Sequence, residues 1–168
     1  MSNQPRLLFV DTEFTDFIDR QLVSIGVVSE QREEFYAERS DWHLYCDGPS
    51  DFVRSVVLPL LGPAEKRLDR VELGRRLHAW LLQQGRSAVV IDYSGDWELL
   101  VDALAEAGMS WPANVHRQPV YVGEFVHSDV FEVSVIDYWR RHPDRKEHHA
   151  LWDAHANRAG WLAMPTRD

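Results

Sequence analysis

Cysteine is nearly absent: Cys46 is the only one among 168 residues, so no internal disulfide can form. Stability must come from a core, and a reducing, cytoplasmic setting is expected. Lysine is almost as scarce, because Arg supplies 16 of the 18 basic residues. Long apolar runs are missing as well. None approaches the roughly 18–20 residues that span a bilayer, so no helical membrane anchor and no membrane partner is expected. Residues 1–6 lack the charged and apolar pattern of an export signal, and export is not expected. No internal repeat, low-complexity tract or linker interrupts the chain, and the length suits one domain over residues 1–168. Positive charge is in short supply too: the formal net charge is −9. Bulk electrostatics therefore work against binding of an acidic polymer. The balance suits a chain that gathers several carboxylates in one place.

What is present is enough apolar residue, 45%, for a real core. Residues 6–10 read as a short buried strand closed by Asp11 to Glu13. Residues 22–28, rich in Val and Ile, read as a second strand and 34–38 as a third; the short connections predict an antiparallel meander. Residues 49–61 read as a helix ending before Gly62-Pro63. Residues 68–84 have apolar side chains near helical spacing, with Gly85 as the C-terminal stop. Residues 88–91 are another buried strand. Residues 96–107 read as a helix with Ser94 or Asp96 near its cap. Residues 120–122 suit a short strand. Residues 125–141 are ambiguous, since the β-branched start favours a strand and the end a helix. Residues 149–161 read as a final helix. Three strands followed by helices and further strands indicate a mixed α/β domain.

Three segments carry chemistry. The first is Asp11-Thr12-Glu13 at the end of the first strand. Positions i and i+2 of a strand share a face, so two carboxylates converge beyond an apolar strand. Left unpaired, that placement is costly, and a divalent cation offsets the repulsion. Read alone, the motif fits an acidic loop facing water equally well. The second is Asp92-Tyr93-Ser94-Gly95-Asp96, where a buried strand runs into a helix. A carboxylate is favoured there by the helix dipole alone, and Asp92 rivals Asp96 because it sits at the strand end. The third is His148-His149-Ala150-Leu151-Trp152-Asp153. On one unbroken helix His148 and Asp153 are turned about 140° apart. They converge only if His148 lies in the preceding loop and Asp153 in the first or second helical turn. His149 and Asp153, four apart, would share a helical face, where His149 would support the carboxylate by a hydrogen bond.

Together these segments resemble the DEDDh 3′→5′ exonucleases of the ribonuclease H-like superfamily, in chain order and in strand and helix context. Residues 9–14 followed by 22–28 look most like the small bacterial and phage 3′→5′ exoribonuclease group. The resemblance implies an α/β fold: a ribonuclease H-like mixed β-sheet, antiparallel over its first three strands and flanked by helices. It places the metal-binding acids on Asp11, Glu13, Asp96 and Asp153 and the general base on His148. The Asn usual a few residues before the second acid is not matched; Asp92 stands at roughly that place. Trp97 and Leu99-Leu100 after Asp96 follow the family pattern. The implied activity is phosphodiester hydrolysis from the 3′ end of single-stranded nucleic acid or a 3′ overhang, RNA favoured over DNA, in an enzyme that forms homodimers. The alternatives are a DNA-directed 3′→5′ exonuclease with the same site and a catalytically silent nucleic-acid-binding module on this fold.

The chemistry agrees. Two divalent ions about 3.5–4 Å apart activate water and stabilise a leaving oxyanion. Oxygen ligands without Cys/His zinc sets point to Mg2+ or Mn2+, two ions in all. A histidine has the right pKa range to take a proton near neutral pH. Phe14 either stacks on a terminal base or fills core. Arg145 and Lys146, with Arg140 and Arg141 just before them, form either a phosphate-holding loop or a solvated basic one.

Overall fold

The structure, a computed structural model, describes residues 4–122 and 128–165. Its centre is a five-stranded sheet in the order β3-β2-β1-β4-β5. The strands are β1 (Arg6–Phe14), β2 (Leu22–Ser29), β3 (Glu34–Glu38), β4 (Ser87–Ile91) and β5 (Val120–Tyr121). The first three form the expected antiparallel meander, and β4 and β5 add in parallel on the other side of β1. Parallel addition requires a crossover. The helix α1 (Arg70–Gln83) lies in the connection from β3 to β4, and α2 (Ser94–Glu106) in that from β4 to β5. The helices α3 (Asp129–Arg141) and α4 (Ala150–Ala163) complete the domain. None of these helices is long and apolar enough to cross a membrane.

Strand alternation divides the core into two layers. Leu8 and Val10 of β1 pack with Leu73 and Leu77 of α1 and Leu99 and Leu100 of α2. Phe9, between them, faces the other way and packs with Phe131 of α3 and Trp161 of α4. A fully buried aliphatic or aromatic side chain of this kind contributes about 1.5–3 kcal/mol. The strand β2 is buried along its whole length, which explains its near-continuous apolar run.

Local signals set the helix ends. The Asp69 carboxylate accepts the N–H groups of Val71 and Glu72, both at 2.9 Å, and starts α1. Gly85, at φ 66°, follows its end in the left-handed conformation a C-terminal stop requires. The helix α2 begins earlier than the capping residues suggested: Tyr93 is the N-cap and makes no side-chain capping bond. Ser128 caps α3 through the Phe131 N–H, and Phe131, Val135 and Tyr138 turn inward at helical spacing, so the β-branched start of 125–141 yields to a helix. Residues 125–127 lie outside the described residues. The segment 49–61 is helical, as expected, but not a regular α-helix. It is a π-turn over Val53–Val57 followed by a 3-10 turn over Leu58–Leu60. Pro59 lacks an N–H and its ring crowds the carbonyl four residues back, so a regular helix cannot continue through it.

Candidate active site

At the C-terminal end of β1, Asp11 and Glu13 face the same side, as their i, i+2 spacing requires. Asp96 enters from the first turn of α2 and Asp153 from the first turn of α4. Asp92 stands just past the end of β4. One carboxylate oxygen from each of Asp11, Glu13 and Asp153 lies within 4.8 Å of the others, and the same holds for Asp11, Asp92 and Asp96. Asp11 thus belongs to both triads. Asp92 and Asp96 were rivals in the sequence; in the structure both lie in the second triad.

Thr12 points to the opposite face of β1 from its acidic neighbours. Its N–H and its hydroxyl donate to Asp96 Oδ1, at 3.1 and 2.6 Å. Asp96, only 2% exposed, is therefore fixed by the middle residue of the first motif. Sequence reasoning missed this role, although the motif itself carries the residue. It also missed Gly26. That glycine pairs with Asp11 across the β1–β2 ladder. A Cβ on it would lie 2.5 Å from the Leu151 Cα. Only a bare backbone lets the start of α4 sit directly on the sheet beside Asp11, and that seat brings Asp153 to the site.

The electrostatics follow from crowding five acids into a partly buried corner, four of which have raised pKa values. Burial first, then the charges of Asp96, Asp153, Asp92 and Glu13, holds the Asp11 carboxyl well above the usual carboxylate range. Glu13 rises to about 8, through burial and then Asp153 and Asp96. Asp96 rises to about 7 mainly through burial, against the lowering effect of the Thr12 hydroxyl. Asp153 also rises to about 7 through burial, although the backbone N–H groups of His148 and His149 stabilise its charge. Positive charge brought into this corner relieves all four.

His148 occupies the loop before α4 at φ 63°, exposed, edge-on to the Phe52 ring with centroids 4.9 Å apart. It lines the same cleft as the acids, a cavity of about 620 Å³. This is the arrangement that lets a residue five before Asp153 converge with it. His149 is different. As the N-cap it lies outside the helix, so the shared helical face with Asp153 does not arise. Its ring stacks on Tyr36 and Trp152, at 4.6 and 5.3 Å, and no hydrogen bond joins it to the Asp153 side chain. Burial lowers its pKa, keeping the ring neutral.

Phe14 lines the cleft, stacked on Tyr93 at 6.0 Å and edge-on to Phe17 at 5.2 Å, and also touches the core. It therefore packs against the core and also presents part of its ring to the cleft. Arg145 and Lys146 do not line the acid cleft. Lys146 borders a shallow neighbouring cavity, and Arg145 lies over Trp152 with its centre 4.4 Å from the ring.

Solved structures share this architecture. The nuclease domain of 3'hExo, a DEDDh family member solved bound to rAMP, matches with a TM-score of 0.64 over 96% of this chain and 92% of that one. The fold is ribonuclease H-like. Exonuclease I matches with a TM-score of 0.56 over 93% of this chain and 40% of that one. Sequence identities are 12% and 14%, so the likeness is one of fold. No family model and no curated protein matches the sequence.

Proposed function

We propose that this protein is a metal-dependent 3′→5′ exonuclease, and specifically an exoribonuclease, with Asp11, Glu13, Asp96, Asp153 and His148 as its catalytic residues. The observation that carries the reading is the sharing of Asp11 between two carboxylate triads at the floor of a cleft. Two hard cations fit this donor set: every ligand atom is a carboxylate oxygen, no Cys or His enters either triad, and the raised carboxyl pKa values reflect repulsion that cations cancel. One ion would be held by Asp11, Glu13 and Asp153, and the other by Asp11, Asp92 and Asp96, with Mg2+ or Mn2+ the class of ion. When bound, such a pair activates water and stabilises charge on the scissile phosphate.

The chain's own residues do the rest. His148 takes the proton from the attacking water; its exposed loop position lets it approach the cleft without crowding Asp153. Thr12 keeps Asp96 oriented. Phe14, backed by Tyr93, offers a stacking face to the terminal base. The rAMP in the 3'hExo nuclease domain supports RNA as the favoured substrate. We read the physiological substrate as a single strand or 3′ overhang, the enzyme as cytoplasmic and homodimeric, and residues 1–168 as one catalytic domain.

The test compares single-stranded RNA, single-stranded DNA and duplexes with 3′ overhangs in Mg2+. Mononucleotides should appear from the 3′ end, fastest from RNA, and EDTA should stop the reaction. Faster release from DNA would favour the DNA-directed reading. Rapid degradation of a circular strand, or full activity in excess EDTA, would overturn the proposal, and strand binding without any cleavage would show a silent module.

A further inference from the structure

A second cavity, of about 390 Å³, opens between α3, α4 and the turn joining β2 to β3. Four arginines line it, Arg32, Arg141, Arg145 and Arg158, against two carboxylates, Glu34 and Asp137. In a chain of net charge −9 this is a local reversal of sign. The carboxylates are already engaged: Glu34 by His155 Nε2 at 2.6 Å and Asp137 by Arg141. Three of the guanidinium groups are held in place, Arg141 by that same pair with Asp137. Arg145 donates to the Tyr138 hydroxyl at 2.6 Å and lies over Trp152, while Arg158 donates to the carbonyls of Ser29 and Glu30. Arg32, at φ 70°, has no carboxylate partner among the described residues. Fixed guanidinium forks lose little freedom on meeting phosphate oxygens.

The cavity also lies on a path from the acid cleft. Trp139 and Glu147 line both the cleft and the shallow cavity beside the 142–147 loop, and Arg145 lines both that shallow cavity and the arginine cavity. We propose that the arginine cavity binds backbone phosphates of the strand, 5′ of the end that occupies the acid cleft. The proposal rests on the exonuclease reading. It answers how an acidic protein grips an acidic polymer: by a local track rather than by net charge.

The test uses the full chain with Arg32→Gln/Arg141→Gln, two exposed positions outside the acid cleft. Arg75→Gln/Arg76→Gln on α1, the helix packed on the other face of the sheet, is the control. Binding of a long single strand is measured by anisotropy in the Asp11→Asn background across a salt series, and hydrolysis of a dinucleotide is measured in the Asp11 background. Loss of two phosphate contacts should make the slope of log K against log salt shallower by about 1.4 and weaken long-strand binding several-fold. Dinucleotide turnover should be unchanged. An unchanged salt slope, an equal loss in the α1 control, or an equal loss of dinucleotide turnover overturns the proposal. So does inorganic phosphate displacing the strand equally at every length, which marks a free-phosphate site. A wild-type chain that hydrolyses nothing, yet loses strand binding through the double substitution, overturns the exonuclease reading and leaves the cavity standing.

Discussion

The four crowded carboxyls make the metal-free protein's stability depend on pH in an unusual direction. Asp96 and Asp153 rise from 3.8 to about 7, so the folded state holds protons that the unfolded state releases. Stability is then fully present below the unfolded value and is lost as pH climbs to the folded one. Each pH unit inside that window costs about 1.4 kcal/mol per group. Between about pH 5 and pH 7 a single such group removes about 3 kcal/mol, which we take as the floor for the cluster. For a chain of this size that lowers the melting temperature by roughly 6–12 °C. The assay is thermal unfolding in EDTA across this range, repeated with saturating Mg2+. Mg2+ should restore most of the loss above about pH 7, because it binds only the folded, deprotonated site. Asp11→Asn removes the carboxylate common to both triads. It should melt higher than wild type in EDTA near pH 7, respond little to Mg2+, and lose most turnover. A melting temperature that is flat or rising from pH 5 to 7 in EDTA, or an Asp11→Asn protein with the full Mg2+ response, would mean that the folded protein does not hold these carboxyls protonated around a shared cation site.

Other substitutions separate roles within the cleft. His148→Ala should lower turnover by about 10²–10⁴-fold while leaving Mg2+ affinity nearly unchanged, whereas His149→Ala should chiefly lower the melting temperature by unstacking Tyr36 and Trp152; kinetics and melting in the reverse order would show that the base is misassigned. Asp92→Asn should weaken the Mg2+ response, on the order of tenfold, and less than Asp11→Asn because Asp92 serves one triad only; an unchanged titration midpoint would remove it from the site. Gly26→Ala should cost about 1–3 kcal/mol by pushing α4 off the sheet, with a loss of activity persisting at temperatures where circular dichroism shows a folded chain. Wild-type kinetics in that variant would mean that the seat of α4 on β2 does not set the position of Asp153.

Much of the fold was legible because it rests on short-range patterns. The buried runs of β1, β2 and β4, the period of α1 and the Gly85 stop all declare themselves within a few residues. The irregular 49–61 segment did not, because a turn's width depends on how Val53, Val57 and Leu58 pack against Val23 and Trp42, residues distant in sequence. Within the site, Asp11, Glu13, Asp96 and Asp153 were legible as motifs and do converge. Asp92 was visible but set against Asp96, since one carboxylate after a strand is explanation enough when the partner across the gap is unseen. Thr12 and Gly26 carry no chemistry of their own. Their roles exist only once α2 and α4 are placed against β1 and β2, contacts separated by 84 residues in the case of Thr12 and Asp96.

The different fates of His148 and His149 follow from the same placement. The start of α4 is pinned on one side by the close approach to Gly26 and on the other by His149, stacked on Tyr36 and Trp152. With the N-cap thus fixed, the chain entering from the 142–147 loop has to turn sharply at the residue before it. His148 makes that turn at φ 63°, a conformation that costs a non-glycine residue about 1–3 kcal/mol and persists only where the surroundings impose it. A glycine would relieve the cost. A histidine there instead has its ring directed to the cleft wall at Phe52, beside the carboxylates and open to solvent. The strain and the proposed proton transfer thus belong to one residue, and the stacked histidine next to it is what holds that residue in place.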